Sequence, residues 1–349
     1  MFNITVIQMN ILKRIIRKRV FFWGGLLLTG SILNSVAQEV GEGKPIIVLF
    51  SDYTAGLGNA NDVSGFNLTR SRLGYAYQAT SSLKATVVLD INAFDDDTRT
   101  ANFHYAMLEW AYQKFTLSGG LIYLSQFEAQ EAFWGRRYIQ KSFQDLYGFG
   151  HDSDLGLKLK YGFTGWLSAD FAVTNGEGTL NLNNNNKYRY GLGITAEPIA
   201  GLTLRAYADL YSKSPDLYPA LGPLASYKNQ GTVALFAGYS NSLFSIGAEY
   251  NNQMNKSFVE GCDYSGFSVY AGVPLNEKIG FYGRYDYVDT KTADDVDYDW
   301  SAIVNKNALI AGFEYKPMSR LSISPNYRYV ESLAGDSRHA VSVNVGFSW

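Results

Sequence analysis

A single cysteine, Cys262, stands among 349 residues, so no disulfide can form within the chain and a disulfide-stapled fold is excluded. It also lies far from the amino terminus, where a lipid-bearing cysteine would have to stand. Histidine is almost as scarce. His104, His151 and His339 are the only imidazoles on hand as general bases, and no G-x-S-x-G or H-E-x-x-H spacing accompanies them. No phosphate-cradling glycine loop or dinucleotide fingerprint occurs in a strand–turn–helix setting. These absences argue against an enzyme and imply no cofactor. After Gln38 no apolar stretch approaches the roughly 20 residues of a spanning helix. Any membrane crossing must therefore be made by strands.

The first residues read as an address. Lys13, Arg14, Arg17, Lys18 and Arg19 precede an apolar stretch from Val20 to Leu33, and Ser35, Val36 and Ala37 come before Gln38. This is the layout of a cleaved secretory signal over 1–37, which leaves 38–349 as one domain. Removing 1–37 takes away five basic and no acidic residues, leaving 25 Lys+Arg against 32 Asp+Glu, a net charge of −7. That balance argues against nucleic acid as a partner.

Aromatics make up 15% of the chain, 26 of them Tyr, which suits the two aromatic girdles of a membrane barrel better than a soluble enzyme. Side chains on a strand swap faces at every residue, so alternation marks strands and sorts their faces. In 201–213, Leu202, Leu204, Ala206, Ala208 and Leu210 share one face, and Thr203, Arg205, Tyr207, Asp209 and Tyr211 the other. The same division recurs in 82–94, 152–162 and 277–289. In all, sixteen stretches of about ten residues, from 44–56 to 337–349, read as strands. Short connections such as Thr80-Ser81, Gly162-Phe163 and Pro317-Met318 alternate with long polar ones: 57–64, 95–101, 127–151, 176–186, 214–228, 254–262, 290–302 and 332–336. Short turns at one end and long loops at the other suit a barrel in an outer membrane, whereas a sandwich has no reason to sort its loops this way. The expected fold is all-β: a transmembrane, antiparallel, up-and-down barrel of about 16 strands.

The last strand alternates with almost no error, with Val341, Val343, Val345, Phe347 and Trp349 on one face. A chain ending on Phe347-Ser348-Trp349 resembles bacterial outer-membrane barrels. The resemblance implies delivery to the outer membrane of a Gram-negative cell by the barrel-assembly machinery, which reads such a terminus.

The longest connection, 127–151, holds Phe133, Trp134, Tyr138, Phe143, Tyr147 and Phe149, too many aromatics for a loop surrounded by water. Folded inward after the fifth strand, it would bury them and form a constriction. Arg136, Arg137, Lys141 and Asp145 would then stand in a narrow, weakly screened space. The alternative is that Arg136 and Arg137 pair with Glu128, Glu131 or Asp145 and only brace the loop. Arg70, Arg72, Lys84, Lys158, Lys160, Arg189, Arg205, Arg284 and Arg328 are expected to point inward, and so are Asp90, Glu109, Asp170, Glu197, Asp209, Glu249, Asp286 and Glu314. Mixed signs give local pairs and a transverse field, not a funnel of one sign.

Phe133-Trp134-Gly135-Arg136-Arg137-Tyr138, then Lys141 to Asp145, Tyr147 to Gly150 and Thr174 to Gly178, resemble porins of Bacteroidetes-type outer membranes grouped with the phosphate-selective porin O and P family. The resemblance implies a sixteen-stranded, trimeric barrel whose fifth connection folds inward and which passes small hydrophilic solutes, anions such as phosphate among them. Outer-membrane lipid and lipopolysaccharide are the implied surroundings. A plugged barrel of structural, adhesin or ligand-binding kind is the second reading.

Overall fold

The computed structural model describes residues 41–58, 64–93, 99–179, 186–213, 226–294, 296–301, 303 and 305–349. The expected signal segment 1–37 lies outside them. The first half of the chain supplies β1 (Gly43–Leu57), β2 (Gly65–Gln78), β3 (Leu83–Ala93), β4 (Arg99–Tyr112), β5 (Phe115–Tyr123), β6 (Ser153–Gly162), β7 (Leu167–Thr174) and β8 (Arg189–Ala196). The second supplies β9 (Leu202–Tyr211), β10 (Gln230–Ser240), β11 (Ser245–Met254), β12 (Asp263–Pro274), β13 (Ile279–Lys291), β14 (Asn307–Met318), β15 (Leu321–Glu331) and β16 (Ser337–Ser348). Two short helices, α1 (Glu128–Trp134) and α2 (Phe143–Leu146), interrupt the segment between β5 and β6.

Each strand pairs antiparallel with its neighbour in the chain, and β1 pairs with β16, so the sixteen strands form a closed barrel. Closure leaves no row of free N–H and C=O groups, the condition for strands to sit in hydrocarbon. The pairing runs to the last residue. Trp349 donates its backbone N–H to the Ile47 carbonyl at 2.8 Å and accepts from the Ile47 N–H at 3.2 Å.

The faces divide as the alternation predicts. On β9, Leu204, Ala206, Ala208 and Leu210 are exposed, and Arg205, Tyr207, Asp209 and Tyr211 are buried. Leu157 on β6 is 58% exposed, whereas Asp286 on β13 is 2% exposed. Large apolar side chains outside and charges inside is the reverse of a water-soluble domain.

Strand ends differ from expectation where local chemistry intervenes. β7 begins at Leu167 rather than 164, because the Phe163 and Thr164 N–H groups both turn back onto the Leu167 carbonyl. β5 stops at Tyr123 instead of 126, because Ser125 and Gln126 turn away to bond Asp170 and Gln144. His104 lies buried within β4. The register slips between Val88/Tyr105 and Leu89/Phe103, which leaves His104 as the extra residue of a bulge.

An outward substitution tests the sorting. Leu157→Arg is expected to destabilise the lipid-inserted barrel by about 2–4 kcal/mol, and Leu157→Met by less than about 1. Urea-dependent refolding into phospholipid vesicles measures both. Equal losses would place the Leu157 row away from lipid.

Candidate functional site

Between β5 and β6 the chain departs from the sheet for residues 124–152. α1 ends at Gly135, which adopts the left-handed conformation (φ +62°) while its N–H caps the Glu131 carbonyl at 3.0 Å. Glycine takes that conformation without a Cβ clash. The turn sends the next residues off in a new direction, and the segment meets the far wall through two aromatic groups. Trp134, Tyr138 and Ile139 pack with Phe50, Phe236, Tyr270, Tyr282 and Ile310. Phe143, Tyr147 and Phe149 pack with Tyr264, Val288 and Ile303.

The wall is cut to receive them. A Cβ at Gly247 would lie 3.0 Å from the Phe133 ring, one at Gly266 2.7 Å from the Phe143 ring, and one at Gly346 2.7 Å from Tyr138. None of these approaches leaves room for a side chain. The segment is irregular and buried, so its carbonyls need donors. The wall provides them. Arg284 donates to the Lys141 carbonyl at 2.7 Å, Arg328 to Ile139 at 2.8 Å, Asn344 to Tyr138 at 3.1 Å and Gln253 to Phe149 at 2.9 Å.

The charged residues singled out in the sequence fall into three groups. One is a chain of ion pairs that ties the segment to β2, β3 and β4. Arg72 binds Asp90 at 2.8 Å and Asp152 at 3.4 Å, and Arg137 pairs with Glu131 at 3.0 Å and with Asp145. Lys141, more than half exposed, reaches Asp145 at 3.6 Å. The second group is paired along the wall: Arg189 with Asp209, Arg205 with Asp170 and Arg284 with Asp286. Arg136 joins it by reaching Glu314 at 3.8 Å while stacking over Tyr282. The third group is half-exposed and has no ion pair among the described residues: Arg70, Lys84, Glu109, Lys158 and Lys160. Lys84 and Glu109 stand directly opposite each other in register. Arg328 is neutralised by no carboxylate contact; its partners are amide and backbone oxygens.

Asp152 was missed as a partner although it neighbours the segment, and so was His104, whose Nε2 lies 3.4 Å from it. Strict alternation hides a bulge, so the sequence held no signal for His104. The receiving glycines were visible as inward positions in the register but were not read as such.

The fold defines a class: sixteen-stranded barrels of the porin type. A family model described as beta-barrel porin-2, OmpL-like (BBP2) matches residues 153–344, and the chain belongs to this family. Among solved structures, the anion-selective porin from Comamonas acidovorans is 13% identical, with a TM-score of 0.66 over 88% of this chain and 100% of that one. OmpF of Salmonella typhi, in complex with daunomycin, is 13% identical, with a TM-score of 0.65 over 88% and 98%. OprB of Pseudomonas putida is 12% identical, with a TM-score of 0.64 over 88% and 94%. At such identities the likeness is one of fold. No curated protein matches the chain.

One carboxyl in the segment is pushed well above the usual carboxylate range. Burial, then the neighbouring charges of Asp145 and Asp152, push Glu131 up to about 8 from its usual range near 4.5. Asp152 goes the other way: burial opposes its charge, but His104, Arg72 and Arg137 hold it well below the usual range. Because the packed Glu131 holds its proton more tightly than the unpacked one, its own contribution to packing is fully present below about pH 4.5. It weakens progressively as pH rises toward about 8. Hydrogen exchange across 124–152, corrected for intrinsic rates, is expected to show protection falling over that window. Glu131→Gln should flatten the dependence; an unchanged slope in that variant would assign it to another group.

Proposed function

We propose that this chain is an outer-membrane porin in which segment 124–152 lies within the lumen and narrows it. Small hydrophilic solutes would diffuse passively past the inward side chains left half-exposed, among them Lys84, Lys158 and Lys160. The observation that carries the reading is the match between segment and wall, glycine against aromatic and side-chain donor against bare carbonyl, concentrated on β10 to β16. Half-exposed polar side chains, among them Arg70, Lys84, Glu109, Lys158 and Lys160, lie on the other half. In this reading the aromatic groups hold the segment in place, and Arg137 braces it through its pair with Asp145 and a hydrogen bond donated to Glu131.

The rest of the assignment follows from the same reading. Residues 1–37 act as a cleaved export signal, and 38–349 form the barrel. The assembly machinery reads Phe347 and Trp349, and the long loops meet lipopolysaccharide on the outer side. The trimer is implied by the resemblance to porins O and P, which also adds phosphate to the solutes worth testing.

Planar-bilayer recording tests the proposal. The refolded full barrel is expected to show a steady open level, and deleting 127–151 should raise it at least about two-fold by widening the path. Gly247→Leu, which drives a side chain into the Phe133 ring, should move the open level in the same direction by a smaller amount. Absence of any open level in the intact chain would instead favour a plugged structural or ligand-binding barrel.

A further inference from the structure

The wall cations differ in what neutralises them, and this decides which of them a passing solute can feel. Arg72, Arg137, Arg189 and Arg284 each touch a carboxylate, so a short distance away their field is that of a dipole. Arg70, Lys84, Lys158, Lys160 and Arg328 touch none among the described residues, and of these Lys158 and Lys160 stand together on β6. Lys158 and Lys160 share the inward face of β6, because Leu157 and Leu159 between and beside them point outward. In register, Lys160 stands opposite Asp170 and Lys158 opposite Ala172. Toward β5 they face Thr116 and Ser118, which carry no charge.

Asp170 is already committed. It takes two hydrogen bonds from Arg205, at 2.8 and 3.1 Å, and one from Ser125 at 2.5 Å. Three cations therefore gather at one carboxylate. Glu128 of α1 acts on Arg205 from longer range, and Glu109, two strands away, stands opposite Lys84. The local excess is positive. Its position matters as much as its sign. The Lys158 ammonium donates to the Tyr123 carbonyl at 2.8 Å, at the point where β5 ends and segment 124–152 begins. Lys160 lies one pleat nearer the short connection at 163–166.

We infer that Lys158 and Lys160 are the charge-selecting residues of the channel. They form a basic lip where the segment leaves the wall, and they favour small anions over small cations. The inference rests on the porin reading above. It assigns selectivity to two lysines rather than to the conspicuous arginines: Arg136 and Arg137 are occupied by Glu314 and by Glu131 with Asp145. In a narrow lumen with little screening water, uncompensated charge acts on permeating ions more strongly than charge neutralised at contact.

The test is the reversal potential of the refolded full barrel across a potassium chloride gradient. The intact chain is expected to favour chloride. Lys158→Gln with Lys160→Gln should lower the chloride-over-potassium permeability ratio at least about two-fold while keeping an open level, and arginine at both positions should restore the ratio. If the double variant fails to insert, Lys160→Gln alone carries the test, because its ammonium holds no hydrogen bond that the fold depends on among the described residues. An unchanged ratio in an open lysine variant overturns the inference and leaves the porin reading standing. So does a larger shift from Arg136→Ala with Arg137→Ala. An intact chain without any open level overturns both.

Discussion

Where water is excluded, every backbone N–H and C=O must find a partner inside the protein, and each layer of this structure answers to that rule. The sheet answers by closing on itself. Pro325 shows how strictly the rule is applied. It stands inside β15 and has no N–H to offer its neighbour on β14. The Ser324 hydroxyl fills the gap by donating to the Phe313 carbonyl at 2.9 Å, and it also pairs with the Tyr282 hydroxyl at 2.7 Å. One side chain does locally what the ladder cannot.

The segment between β5 and β6 faces the same rule without a ladder to join. Its answer is to borrow donors from the wall, and this reshapes the inner face. A uniformly polar lining would hold water and leave the aromatic side chains of the segment unburied. Instead β1 turns Ile46, Val48 and Phe50 inward, and Phe236, Tyr270, Tyr282 and Ile310 join them. Burying each such side chain contributes about 1.5–3 kcal/mol relative to leaving it in water. The inner face therefore mixes the two: apolar side chains and glycine recesses receive the aromatic rings, and buried groups such as Arg284 and Asn344 between them serve the carbonyls.

Much of this was legible in the sequence, and the limits are physical. Period-two alternation and the sorting of short and long connections predict sixteen strands, and the paired strands fall within a few residues of the expected spans. Faces were legible too, because alternation of Leu with Arg or Asp has one meaning once closure is granted. What escaped were features that break or overlay the period. The bulge at His104 shifts one residue against its neighbours and leaves no trace in composition. The role of Gly247, Gly266 and Gly346 depends on residues about 100 or more positions away, and no local pattern announces such a partner. Strand positions were readable; partners across the barrel were not.

The same limit governs charge. Reading alternation gives an inward-facing count of cations and anions, which treats every charge as if it stood free. The structure shows that most are spent on pairing. Arg284 holds both oxygens of Asp286 and a carbonyl of the segment, at 2.8, 2.7 and 2.7 Å, so its five donors are largely committed. Such an arginine positions a backbone and contributes little field to the lumen. Lysine, with a single compact charge on a flexible stem, is less suited to that forked holding role and more easily left facing solvent. Along the wall Arg72, Arg189, Arg205 and Arg284 are each spent on a carboxylate, whereas Lys84, Lys158 and Lys160 touch none among the described residues.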